Sequence, residues 1–174
     1  RDSEDLPIDG LRILAGDVFV RDLIVRNFSG DGISADVAES LTLERFVTGG
    51  NAGSGIDVGA LVRNVTLDTV YSGLTTDGSA ADANAEYGVR IQRDDTLLSN
   101  GAVTVDSSVV SGNTLGGLWI HDQRTAANSI GVEYLVRYSR FGLDVTGKFA
   151  VPNGGFGIKI QNDADAVQVP NSAS

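Results

Sequence analysis

The chain has 174 residues, a length that suits one domain, and its 13 basic against 23 acidic side chains give a net charge of −10. That balance argues against a duplex nucleic-acid partner, because such binding rests on Lys and Arg neutralising phosphate. There is no Cys, so disulfides and thiolate metal sites are ruled out, and no apolar run approaches the ~20 residues of a membrane-spanning helix.

Asp outnumbers Glu 18 to 5, and Arg outnumbers Lys 11 to 2. An Asp excess fits a turn-rich fold, where the short carboxylate bonds its own backbone. Gly is abundant at 22, Pro is scarce at 3, and helix-period patterns are almost absent, so strands and turns are expected throughout. With Arg first and no Met, the chain is expected to be a processed product or a fragment.

Residues 1–21 read as a polar lead-in followed by Leu11, Ile13, Leu14, Val18 and Val20, either an opening strand pair or a cap. From residue 22 two phrases alternate. One is a short apolar strand: Leu23-Ile24-Val25, Leu41-Thr42-Leu43, Val65-Thr66-Leu67, Val103-Thr104-Val105 and a fifth within 132–136. The other is a Gly-led strand with apolar residues at alternate positions. Its copies are Gly32-Ile33-Ser34-Ala35, Gly55-Ile56-Asp57-Val58, Gly88-Val89-Arg90-Ile91, Gly117-Leu118-Trp119-Ile120 and Gly157-Ile158-Lys159-Ile160. Five copies of one phrase mark a repeat architecture.

The glycines of these copies are spaced by 23, 33, 29 and 40 residues. The longer intervals must hold inserted loops, placed at 75–86, 92–101, 123–129 and 148–155, with 75–86 read as flexible. The pattern stops at residue 161, leaving 162–174 as a tail.

One repeat cannot bury its own apolar residues. Repeats stacked about 4.8 Å apart can, because like residues then lie over like. The expected inward pairs are Ile33/Ala35, Ile56/Val58, Val89/Ile91, Leu118/Ile120 and Ile158/Ile160, with Leu41/Leu43, Val65/Leu67 and Val103/Val105 from the companion strand. Asp31, Asn51, Asn113 and Asn153 are expected at one turn of successive repeats, since Asn and Asp tolerate a left-handed backbone.

The repeated apolar-Thr-apolar strand, the Asn or Asp turn and the Gly-apolar-x-apolar strand together resemble the right-handed parallel β-helix proteins over residues 22–161. The resemblance implies an all-β fold, a right-handed parallel β-helix (solenoid) of about five coils with inserted loops, in a single domain. Pectate lyases, polygalacturonases, mannuronan epimerases, phage tailspikes and many surface proteins share that fold. In its polysaccharide-active families the cleft lies on the sheet built here by the Gly-led strands.

Strand alternation turns Ser34, Asp57, Arg90, Trp119 and Lys159 outward on that sheet, with Asp36, Gly59, Gln92, His121 and Gln161 two residues on. An indole, an imidazole, amides and charges in one ladder suit a sugar ring and its polar substituents. The candidate carbohydrate-binding residues are therefore Asp57, Arg90, Gln92, Trp119, His121 and Lys159. The competing interpretation is a solvated sheet face whose charges only prevent sticking. His121 is the sole His and cannot form a His-based metal site; as a general base it would need an orienting partner such as Gln92 or Gln161.

Asp94-Asp95 is similar to the paired carboxylates of polygalacturonases, but Asn-x-Asp, Gly-His-Gly and Arg-x-Lys are missing, as is the epimerase Asp-Pro-His. No catalytic residue is assigned. A pectate-lyase-like scheme would require calcium held by acids near an Arg base, for which Asp36, Asp57 and Arg90 are available; no other cofactor is expected. Asn27-Phe28-Ser29 and Asn64-Val65-Thr66 match the glycosylation acceptor pattern.

The expectation is an extracellular or surface module, an adhesin, fibre or viral-spike segment that binds a polysaccharide or glycan. The alternatives are a polysaccharide lyase or hydrolase acting on uronic-acid-type polymers, and a pure scaffold. Unpaired end repeats suggest a homo-oligomer or stacking on other domains.

Overall fold

The computed structural model describes residues 6–94, 101–124 and 133–162. These residues are all-β: they hold eleven strands, no helix, and therefore no helix long and apolar enough to cross a membrane. The strands are β1 (Leu11–Leu14), β2 (Asp17–Arg26), β3 (Ile33–Gly49), β4 (Ile56–Ser72), β5 (Tyr87–Arg93), β6 (Ala102–Asp106), β7 (Val109–Val110), β8 (Gly116–Asp122), β9 (Glu133–Arg137), β10 (Arg140–Phe141) and β11 (Phe156–Asn162). All pairings between them are parallel, in one 11-stranded sheet.

The Gly-led strands run in the order β1-β3-β4-β5-β8-β11. Their register aligns Leu11, Ile33, Ile56, Val89, Leu118 and Ile158, and two residues on Ile13, Ala35, Val58, Ile91, Ile120 and Ile160. The second halves of β3 and β4 pair with β2 on one side and with β6, β7 and then β9 on the other. There Val18, Leu41, Val65, Val103 and Tyr134 form one column, and Val20, Leu43, Leu67, Val105 and Val136 the next. The middle of each column is fully buried. The columns begin at Leu11: of the two options for residues 11–20, an opening strand pair or a cap, the structure has the strands β1 and β2, already in the repeating register.

Inside this companion run each of five successive passes bends at one further residue. Asp22, Arg45, Thr69, Ser107 and Tyr138 have φ between 48° and 55°, and the register stacks them in a single column. A left-handed residue costs about 1–2 kcal/mol outside Gly, so the bend is enforced by packing on both sides. Phe46 and Val70, just past it, are completely buried.

The turn before the Gly-led strand holds a file of amides. Asn51 Nδ2 donates to Asn84 Oδ1 at 2.8 Å, Asn84 Nδ2 to Asn113 Oδ1 at 2.9 Å, and Asn113 Nδ2 to Asn153 Oδ1 at 3.1 Å. Asn51, Asn84 and Asn113 are at most 1% exposed. Asp31 does not join them. It sits immediately before its Gly, whereas each Asn precedes its Gly by four residues. Its carboxylate instead accepts the Ser54 backbone N–H at 2.6 Å.

The loop read as flexible at 75–86 is ordered. Leu74 and Ala81 form an antiparallel bridge, Thr75 and Asp77 close its tip, and Asn84 lies inside the amide file. A second hairpin, bridged between Leu143 and Ala150, packs Val145 against Gly78 of the first. The loops expected at 92–101 and 123–129, the fifth companion strand at 132 and the tail from 163 lie wholly or partly outside the described residues. Asp95 does too.

Candidate functional site

The outward side of the Gly-led strands gathers the candidate residues in two adjacent columns. Asp57, Arg90, Trp119 and Lys159 are direct neighbours in one, and Gln92, His121 and Gln161 in the other. Arg12 and then Ser34 precede Asp57 in the first column. The register shifts after Ala35, so Asp36 and Gly59 fall outside the second.

Asp57 and Arg90, next to each other in the column, satisfy each other. Arg90 donates to both Asp57 oxygens, at 2.7 and 2.8 Å, and its guanidinium also lies 3.7 Å from Glu86. The Asp57 hydrogen bonds raise the Arg90 pKa above its ordinary value. Asp36 is held by Arg12 at 2.9 Å. The two carboxylates named for calcium are therefore each tied to a different Arg. Among the described residues no group of three or more His, Asp or Glu side chains could hold a metal ion.

Below Arg90 the face becomes aromatic. Trp119 is half-buried; His121 stacks on it at 4.9 Å between centroids and 15° between planes, and Tyr87 meets it at 5.0 Å, tilted by 47°. Phe156 stacks on Tyr87 at 6.0 Å. The Lys159 ammonium lies 5.4 Å from the Trp119 ring centre and 6.0 Å from that of Phe156. Trp119 Nε1–H is buried and has no hydrogen-bond partner.

Tyr87 and Phe156 escaped the sequence reading. Both stand immediately before the repeat Gly. The signal for them was Gly116, which the register places opposite both. A Cβ there would lie 2.8 Å from the Phe156 ring, so only Gly lets the two rings close over the strand between them.

Beside Arg90 a cleft of about 220 Å³ opens, lined by Asp9, Asp31, Ser29, Gly53, Glu86 and Arg90 among others. Burial pushes the Asp31 carboxyl up to about 6; the Ser54 N–H opposes this, while Asp57 and Asp9 add to it. The folded protein thus holds this proton more tightly than the unfolded chain. Stability from Asp31 is present below its ordinary pKa of 3.8 and is lost as pH rises towards 6. Asp31→Asn is expected to match the parent near pH 4 and to melt at a higher temperature at pH 7. Paired thermal melts across that range check this, because the other carboxylates cancel in the difference.

Comparison with known protein families, curated proteins and solved structures gives no match to the chain.

Proposed function

We propose that the chain winds as a right-handed parallel β-helix and that the Trp119 face binds carbohydrate, as a surface module of the adhesin, fibre or spike kind. The winding is supported by the parallel register from Leu11 to Ile158 and by a left-handed bend repeated in five successive passes. One observation carries the binding site: four rings, Phe156, Tyr87, Trp119 and His121, form a continuous half-buried surface flanked by Lys159, Gln92 and Gln161. The C–H faces of a sugar pack on the rims of such rings, and the amides take its hydroxyls. The Lys159 ammonium above the rings is placed for a carboxylate or sulfate substituent. Because His121 and Tyr87 cover the indole, the sugar meets the edge of the cluster rather than an open Trp face.

A glycan array followed by calorimetry tests the site. Trp119→Ala and Tyr87→Ala are each expected to weaken binding by at least about tenfold, a loss of about 1.4 kcal/mol. Unchanged affinity in both variants would discard it. A lyase or hydrolase on uronic-acid-type polymers is favoured by a different observation, the raised Asp31 carboxyl in the cleft beside Glu86 and Arg90. New reducing ends or unsaturated sugars, abolished in Asp31→Asn, would support that second reading.

A further inference from the structure

The first ten-residue strand, β2, is an edge: among the described residues it pairs only with β3. It is also exposed, with Phe19 at 57%, Ile24 at 56% and Leu23 at 39%. Long exposed edges template pairing unless something covers or blunts them.

The sequence of this strand is complementary to its own reverse. Laid antiparallel on a second copy about its midpoint, Asp17 faces Arg26, Val18 faces Val25, Phe19 faces Ile24, Val20 faces Leu23 and Arg21 faces Asp22. Side chains directly opposite each other across an antiparallel pair lie on the same side of the sheet. The structure meets that condition. Val18, Val20, Leu23 and Val25 pair with the inward residues Leu41, Leu43, Phe46 and Thr48, all fully buried. Asp17, Phe19, Arg21, Ile24 and Arg26 alternate with them. Inward residues therefore face inward residues, and outward face outward. The change of parity between the two halves comes from the left-handed bend at Asp22, φ 55°, which sits at the centre of the palindrome. A two-fold axis through that corner lays residues 17–21 of one copy on residues 22–26 of the other. Arg26 already holds Asp82 at 2.7 Å, and a guanidinium has further donors for Asp17 of the second copy.

The opposite ends do not fit. Stacked head to tail in the protein's own register, the last pass would place Lys159 over Arg12, Glu133 over Asp17 and Arg137 over Arg21. Each is a like-charge pair, which disfavours an open fibre.

We infer that β2 is a two-fold interface, and that two copies of this chain join edge to edge through it, antiparallel, head to head. Sedimentation equilibrium of the whole chain is expected to give the mass of two copies. Phe19→Glu and Ile24→Lys change outward positions; each alone is expected to raise the dimer dissociation constant at least about tenfold. Mixing the two variants in equal amounts should restore a dimer, because Glu from one faces Lys from the other across one Phe19–Ile24 position while the second position stays apolar. The reversed pair, Phe19→Lys with Ile24→Glu, repeats the test should either variant fold poorly, with circular dichroism reporting the fold. A parent chain that sediments as a monomer or as open polymers, a dimer indifferent to both single variants, or a mixture that stays monomeric would overturn the interface.

Discussion

Replacing Asp122 with Ala is expected to lower the free energy of unfolding by about 3–5 kcal/mol, the cost of stranding buried cations. Alternation puts Arg93 and Asp122 on the inward side of neighbouring strands, in register with Asn162 and two residues past the apolar column of Ile91, Ile120 and Ile160. Arg124 grips both Asp122 oxygens, at 2.8 and 2.7 Å, and the Tyr134 hydroxyl donates to the same carboxylate at 2.5 Å. Arg93, Asp122 and Arg124 are all at most 5% exposed. Arg93 donates to the Val62 carbonyl but leaves Nε and Nη2 without partners. Asp122 is thus the anion beside two buried guanidinium groups, and truncating it leaves both uncompensated.

Two measurements separate this from a simple packing defect. Chemical unfolding of Asp122→Leu/Arg124→Leu should show a smaller loss than Asp122→Ala, because both charges leave together. The second is a pH series. Burial pushes the Asp122 carboxyl up, but the Arg124 and Tyr134 hydrogen bonds outweigh it, and the net pKa is lowered. Its contribution is therefore complete above the ordinary carboxylate value and is lost as pH falls through the lowered one. The gap between parent and Asp122→Asn should narrow in strong acid. A gap independent of pH would sink the ionic account.

Gly55→Ala is expected to cost about 3 kcal/mol, at the upper end of ordinary overpacking. The added methyl would stand 2.3 Å from Ser72 Oγ, 2.7 Å from Asn84 Nδ2 and 2.7 Å from the Gly88 carbonyl oxygen. The Ser72 hydroxyl is fixed by its own bond to that carbonyl, at 2.7 Å, and Asn84 is fixed in the amide file. None of the three can step aside without breaking a buried hydrogen bond. Gly16, around which nothing lies within 4 Å of an added Cβ, is the control: Gly16→Ala should leave the denaturant midpoint nearly unchanged. Equal effects at the two sites would show that the glycine column answers to backbone freedom rather than to this crowding.

The stacked columns were legible because strand side chains alternate with period two, and a register slip of one residue would have exposed every Ile and Val. Ile56, Val89, Leu118 and Ile158 could then fall only over one another. The outward ladder followed by the same parity, which is why Asp57, Arg90, Trp119 and Lys159 lie in one file. Asn84 was not seen, because a hairpin insertion separates it from the strand phrase before it. The constant four-residue interval from Asn to Gly in Asn51/Gly55, Asn84/Gly88, Asn113/Gly117 and Asn153/Gly157 would have found it and set Asp31 aside. The interior charges are hidden for the opposite reason: Arg93 falls inside the loop expected at 92–101, although its parity is inward. Tyr87 and Phe156 touch only through the space left by Gly116, which alternation cannot express.

The amide file has a direction. From Asn51 to Asn113 each side-chain amide donates to the Asn oxygen of the following pass, and from Asn51 to Asn153 every side-chain oxygen points towards the earlier one. Phe28 N–H meets the first oxygen at 3.1 Å, and the Val110 carbonyl takes the last N–H at 3.0 Å. No single amide can turn over without setting oxygen against oxygen on one side and nitrogen against nitrogen on the other. The four side-chain dipoles are therefore locked in common alignment, each polarising the next, and the molecule carries a polar thread along its length with its negative pole at the Asn51 end.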